Sequence, residues 1–378
     1  MRKYVYYILV SILMSLCMTL KVQAGKTTTS VPCQVRGFMV ETAENLDRQT
    51  LVDAKSWGAN VVRLQLNPVN YALKRKKDFW KTLPQYLDLV QQRIDDAREI
   101  GLWVVVDLHE PPLVVDGKVP SSTYQGTHEF WQTPGLKDNF VRMWREIARK
   151  FKGKKYKGVI WGYDIFNEPQ INWVSIPKEW LAMVPDIVGA IRDIDKDTWI
   201  VVQPVVATSE FNTLKPFDDR RIIYSIHFYN PFGFTHQGVE KVFESSTMTR
   251  EEAMNEIKKE YPGTYYDHYV DKKALEDNIR PFAEFLDKYR VPGYIGEFST
   301  IAWAPVESSK RWFTDVLDIF ERHHLSWSYH AFREWAGWSL EHAEDTSAFW
   351  FKHEPQPKPV DYETQRARII KEGLKKNR

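Results

Sequence analysis

Eight short apolar runs, each followed by a helical stretch or a longer connection, constrain this chain more than any other feature. "QVRGFMV" (34–40), "ANVVRLQL" (59–66), "LWVVVDLH" (102–109) and "GVIWGYDIFNE" (158–168) read as strands, as do "TWIVVQP" (198–204), "RIIYSIHFYN" (221–230), "VPGYIGEFS" (291–299) and "LSWSYHAF" (325–332). Stretches such as "LPQYLDLVQQRIDDAREIG" and "LKDNFVRMWREIARKFKG" carry apolar residues at three-to-four spacing and have a glycine at their close. Strands joined by helical crossovers run parallel, and eight of them point to a sheet closed on itself. The expected fold class is α/β, a (β/α)8 TIM barrel, at about 44 residues per unit. A doubly wound open sheet is the alternative, but no Gly-rich phosphate loop follows the first strand. One connection is oversized. About 60 residues separate strands six and seven, including "PFGFTHQGVEKVF" and "KKEYPGTYYDHYV", and they read as a wall of a binding cleft.

Residues 1–24 stand outside this alternation. "MRKYVYY" is basic, "ILVSILMSLCMTL" is apolar, and "VQA" before Gly25 has the small residues of a cleavage site. The apolar run is short for a membrane span. The residues before Cys17 are not the small ones usual for lipid attachment. The expectation is a cleaved export signal, 1–24, a single catalytic domain over 25–378, and a secreted or periplasmic protein without membrane insertion. Of 52 basic residues, Arg2, Lys3 and Lys21 leave with the signal, so 49 face 50 acidic ones, a net of −1. That balance favours neither nucleic acid nor an anionic membrane as partner. Cys33 is then the only cysteine, which excludes an intrachain disulfide and a Cys-rich metal site. A monomer is expected. Fifteen tryptophans are many for such a chain, and they hold open both core packing and a flat-faced ligand.

In a barrel of this type the C-terminal strand ends form the active face. Those ends offer Arg63, His109, Asn167 with Glu168, His227 with Tyr229, and Glu297. Each has a bland reading alone: a paired arginine, a satisfied core histidine, a ring turned inward, a helix-capping carboxylate. Convergence at one rim is the stronger reading. Pro169 disfavours helical backbone at Glu168 and is expected to hold that carboxylate on an extended segment. The histidines do not fall in H-E-x-x-H or Cys/His ligand spacing, so no metal is expected. No G-x-S-x-G elbow follows a strand.

Two carboxylates across an aromatic-lined cleft suit glycosidic bond cleavage, where one protonates the leaving oxygen and the other stabilises or traps an oxocarbenium-like centre. Their environments must push the two acidities apart. Arg63 and Tyr229 near Glu297 favour its anion, which leaves Glu168 as the proton donor.

"VVRLQ", "VVVDLHE", "GYDIFNEP", "SIHFYNPFGFTHQG" and "YIGEFS", in this order over nearly the whole mature chain, resemble glycoside hydrolase family 5. The Asn-Glu-Pro at strand four is similar to the wider clan of retaining barrel glycosidases, and the remaining set narrows the resemblance to the family. It implies Glu168 as acid/base and Glu297 as nucleophile, with retention through a covalent glycosyl-enzyme and no cofactor. It implies that Asn167 holds a substrate hydroxyl, that Arg63 and Tyr229 steady the nucleophile, and that His109 and His227 line the pocket.

The chain departs from the family at strand eight. Where the family carries a tryptophan floor, "LSWSYHAFREWAGWS" places His330, so Trp335 or Trp338 takes the stacking role or the sugar is gripped differently. Trp303 stands just past the nucleophile and faces either core or cleft. The expected activity is hydrolysis of a β-linked polysaccharide or oligosaccharide, β-1,4-glucan first, with mannan or another β-glucan next. A non-catalytic carbohydrate-binding barrel and a transglycosylase are the competing readings.

Overall fold

The computed structural model describes residues 32–115 and 126–377. The export signal and Cys17 lie outside the described residues. Eight parallel strands close into a barrel: β1 (Arg36–Val40), β2 (Val61–Leu66), β3 (Trp103–Leu108), β4 (Ile160–Asp164), β5 (Trp199–Val202), β6 (Ile222–His227), β9 (Gly293–Glu297) and β10 (Ser326–Phe332). A two-stranded hairpin of β7 (Gly263–Tyr265) and β8 (His268–Val270) sits within the long connection between β6 and β9. The barrel order is β1-β10-β9-β6-β5-β4-β3-β2, so neighbours in sequence are neighbours in the wall. All eight apolar runs became strands. Most ended earlier than their sequence runs, because the last residues of each run turn over the barrel mouth.

The expected helices form as Phe79–Ile100 and Leu136–Phe151. Gly101 ends the first in a left-handed conformation, φ +79°, which costs glycine least. Their apolar faces pack on the outside of the wall, where Phe140, Met143, Trp144 and Ile147 are fully buried. Inside the barrel, Val35, Val61, Val105, Trp161, Val201, Ile223 and Tyr294 form a separate apolar plug. On β2 the side-chain period of two carries this inward row from Val61 to Arg63, so the lining changes from apolar to charged towards the C-terminal mouth. Among the described residues, no helix is long and apolar enough to cross a membrane.

The tryptophan content has a structural use. Five buried indoles donate to main-chain carbonyls of the segments that leave the C-terminal strand ends. Trp144 Nε1 bonds Ile165 (2.9 Å) and Trp131 Nε1 bonds Gln170 (3.1 Å), both after β4. Trp180 Nε1 holds Gln203 after β5 (3.1 Å). Trp312 Nε1 holds Asn230 and Trp303 Nε1 holds Gln237 after β6 (2.8 and 2.7 Å). Irregular backbone cannot satisfy its carbonyls within itself when it is buried, and these donors do so from the side. Trp303 is therefore a core residue.

Replacing Trp144 by Phe strands the Ile165 carbonyl and leaves a small cavity where the second ring of the indole stood. The expected cost is about 1–3 kcal/mol, read as a lower denaturation midpoint in urea. An unchanged midpoint would show that this bond adds no stability.

Candidate active site

Arg63 lies at the centre of the barrel mouth, wholly buried. Its Nη1 donates to Glu297 Oε1 (2.7 Å), its Nε to Asp164 Oδ2 (3.0 Å), and its Nη2 to Asn167 Oδ1 (2.9 Å). Asp107 Oδ1 lies 3.0 Å from the same Nη2. One guanidinium thus balances three carboxylates from β3, β4 and β9. Asp107 and Asp164 went unread in the sequence, although an aspartate inside "VVVDLH" or "WGYDIF" is itself a signal. A charge in an apolar strand needs a buried partner.

Glu297 is buried at the end of β9, and its second oxygen accepts from the Tyr229 hydroxyl (2.8 Å). His330 Nδ1 stands 2.6 Å from that hydroxyl oxygen and 3.3 Å from Glu297 Oε2. The phenol proton is directed at Glu297, so the imidazole N–H donates to the phenol oxygen. His330 Nε2 faces Glu334 Oε2 at 3.4 Å, a partner the sequence reading missed.

Glu168 lies four residues beyond β4, its side chain about a fifth exposed. The extended backbone expected before Pro169 is not what forms. Glu168 adopts φ +47°, in the left-handed region. Proline disfavours the right-handed helical well for its predecessor, and the Glu168 N–H is fixed by Gln203 Oε1 at 3.1 Å, which holds the turn in the left-handed form. Backbone held in so sparse a region is concentrated at functional sites.

His227 connects the two glutamates. Its Nδ1 is 2.6 Å from Glu168 Oε1 and 3.5 Å from Glu297 Oε2. Donor atoms of the three side chains all lie within 4.8 Å of one another. The register between β6 and β9 slips between Ile226 and His227, leaving Gly296 as the extra residue under the imidazole. A Cβ there would stand 2.9 Å from His227 Nε2, so the ring's position depends on glycine. Among the described residues this is the cluster of His, Cys and carboxylate groups tight enough for a metal ion, and its members already face one another.

Burial would raise the Glu297 carboxyl, but His227, His330, Arg63 and His109 override it and hold Glu297 well below the usual carboxylate range. Burial drives Tyr229 well above the usual phenol, with Glu297 and Glu168 adding to the rise. His109 Nδ1 sits 2.8 Å from Asp107 Oδ2, and that carboxylate outweighs burial and lifts the imidazole to about 9. His330 is also raised, by Glu297 and Glu334 against burial. Asp164 is raised by burial and by Asp107, against the pull of Arg63.

Arg63, His109, Asn167, Glu168, His227, Tyr229, Glu297 and His330 therefore assemble at one mouth. The Trp335 ring packs one layer behind them, on Trp338. It is half-buried against Phe243, Trp303, Trp338 and Trp350, at centroid separations of 5.5–6.3 Å, because burying a large indole among rings is favourable. Trp338 backs the site, 5.6 Å from the His330 ring and 6.3 Å from Tyr229.

A closed parallel barrel with this rim places the protein among the (β/α)8 O-glycosyl hydrolases. Residues 23–336 match the cellulase family, glycosyl hydrolase family 5, and the chain belongs to that family. Endoglucanase C of Acetivibrio thermocellus is 26% identical over 313 residues, covering 75% of this chain and 82% of the relative. Cellodextrinase A of Ruminococcus flavefaciens is 25% identical over 284 residues, 74% of this chain and 76% of the relative. Cel5A of Thermotoga maritima, solved with mannotriose, shares the fold at a TM-score of 0.63 and 23% identity, over 90% of this chain and 97% of that one.

Replacing Arg63 by Met leaves three buried carboxylates without their cation. A loss of about 3–5 kcal/mol is expected in urea unfolding, and a loss below 1 kcal/mol would show the carboxylates are balanced elsewhere. His109 gives a pH signature. Its folded value, about 9 against 6.5, means its stabilisation is complete below pH 6.5 and is lost as pH rises towards 9. His109→Gln should flatten part of the decline in melting temperature across that window; an unaltered pH profile would refute this.

Proposed function

We propose that the protein is an exported, retaining β-glucanase that cleaves β-1,4-glucan, with Glu297 as nucleophile and Glu168 as acid/base. The observation that carries this is that one oxygen of each carboxyl group lies within 4.8 Å of the other across His227, which is far too close for the wider inverting arrangement. Retaining enzymes place them roughly 5–5.5 Å apart, and inverting ones roughly 6.5–9.5 Å, to admit a water between them.

The division of roles follows from the surroundings. Glu297 is held ionised by its positive neighbours, and the Arg63 and Tyr229 bonds aim its oxygens, so it is the group ready to attack the anomeric carbon. Glu168 reaches solvent more and its carboxyl is met by His227, which suits the group that gives a proton to the leaving oxygen and takes one from water. As the C–O bond breaks, the Glu168 proton passes to the departing sugar and Glu297 forms the glycosyl ester. Water then enters, Glu168 takes its proton, and the ester is released with the original configuration. His227 keeps Glu168 oriented between the two steps, and the Asn167 amide donates to a substrate hydroxyl. The glucan assignment is supported by the endoglucanase and cellodextrinase relatives. Export is supported by the basic, apolar and small-residue order of residues 1–24.

Glu297→Gln and Glu168→Gln should each lower kcat on a soluble cellulose derivative by at least about a thousandfold, at a temperature where urea unfolding shows each variant still folded. A 2-deoxy-2-fluoro glycoside with a good leaving group should label Glu297, read by peptide mass. Labelling elsewhere, or full turnover by Glu297→Gln, would overturn the assignment. A parallel screen over mixed-linkage glucan, xyloglucan, mannan and xylan tests the substrate.

A further inference from the structure

The large apolar side chains that stand exposed among the described residues are not scattered. They lie on the segments that leave the C-terminal ends of strands. Five adjacent strands of the wall, β2 to β6, each contribute at least one: Leu73, Val115, Trp173, Val206 and Phe232. Scattered exposed apolar residues are ordinary; confinement to one face marks an interaction surface.

Two of these carry flat rings and are held in place. Trp173, 60% exposed, follows Glu168 by five residues, which limits its distance along the chain to about 17 Å. It sits in a tight turn closed by the Ile171–Ser175 bridge. Its N–H donates to Gln170 Oε1 (2.7 Å), and the Gln170 carbonyl is pinned by Trp131. Asn172 and Trp173 both adopt left-handed backbone, φ +50° and +58°. Such conformations cost about 1–3 kcal/mol each in non-glycine residues. The chain thus accepts strain to hold an indole largely out in water, with most of its surface left unburied.

Phe232, 52% exposed, stacks on His236 at 3.9 Å with planes 14° apart. His236 is wedged between Tyr229 and Trp338, at 4.8 and 4.9 Å, and burial lowers it to about 3, so it stays neutral. The Phe232 ring is therefore continuous, through one imidazole, with the phenol that bonds Glu297. From the other side, Tyr265 of the hairpin packs where a Gly233 side chain would stand, 3.1 Å from its Cβ position. The insertion after β6 thereby braces the turn that carries Phe232.

We propose that Trp173 and Phe232 are stacking platforms for sugar units beyond the cleaved bond, and that they make this enzyme select a polymer over a short glycoside. The inference rests on the glycosidase reading above. A β-linked pyranose chain presents flat C–H faces that match exposed rings, and rings already ordered lose little entropy on binding.

The test compares Trp173→Ala and Phe232→Ala with wild type on soluble β-1,4-glucan and on an aryl β-cellobioside. Hexasaccharide binding is measured by calorimetry in the Glu297→Gln background, where turnover is not needed. Each substitution should lower kcat/KM on the polymer by about tenfold, mainly through KM, and affect the aryl glycoside several-fold less. The hexasaccharide Kd should rise by a similar factor, and Trp173→Tyr should restore most of it. Equal losses on both substrates, or unchanged hexasaccharide binding, would overturn the proposal. If wild type ignores β-1,4-glucan but cleaves another β-linked polymer, the comparison moves to that polymer, which separates a wrong substrate from wrong platforms. Failure of Glu297→Gln to bind any polymer in the screen overturns both.

Discussion

Arg63 is the charge around which the barrel mouth is organised. A guanidinium buried at this depth is tolerable only among compensating groups, and Asp107, Asp164 and Glu297 supply them from three different strands, with Asn167 from the turn after β4. The same contacts align Glu297 and keep it ionised inside a protein. A fixed cation replaces the water that would otherwise stabilise the carboxylate, so no solvent has to reorganise when charge moves during reaction.

Around that centre, precision comes from ordinary packing. Several rim residues, among them His109, Asn167, Glu168 and Tyr229, stand on turns just beyond strands, where the sheet no longer dictates backbone geometry. Buried tryptophans take over there, clamping the carbonyls of Ile165, Gln170, Gln203, Asn230 and Gln237. Glu168 can then be kept in left-handed backbone, and the indole of Trp173 can be held out over the surface. Strain at the rim is sustained by a core that is fully packed beneath it.

Strand eight adds charge to the same mouth. His330 brings an imidazole that hydrogen-bonds Tyr229 and faces Glu334 on its other edge. The aromatic surface nearby is supplied by Trp338, from the connection after β10 rather than from the strand. Charge therefore supports Glu297 from this strand, and ring surface lies farther out, on Trp338, His236 and Phe232.

The sequence by itself determined the fold and the identity of the central groups. Period-two runs and three-to-four periodicity depend only on near neighbours, so eight strands and their crossovers were legible. Polar residues ending apolar strands, such as Glu168 in "FNEP" and Glu297 in "YIGEFS", were conspicuous because their burial needs a reason. Tertiary structure alone decided the pairings: Asp107 and Asp164 on Arg63, Glu334 beside His330, Gln203 fixing Glu168, and Trp338 behind the phenol. These contacts join residues on different strands and loops, and they depend on how the barrel closes and how each strand end turns. Local pattern carries no record of that closure, because a side chain's partner across the barrel is set by three-dimensional register and not by its neighbours along the chain.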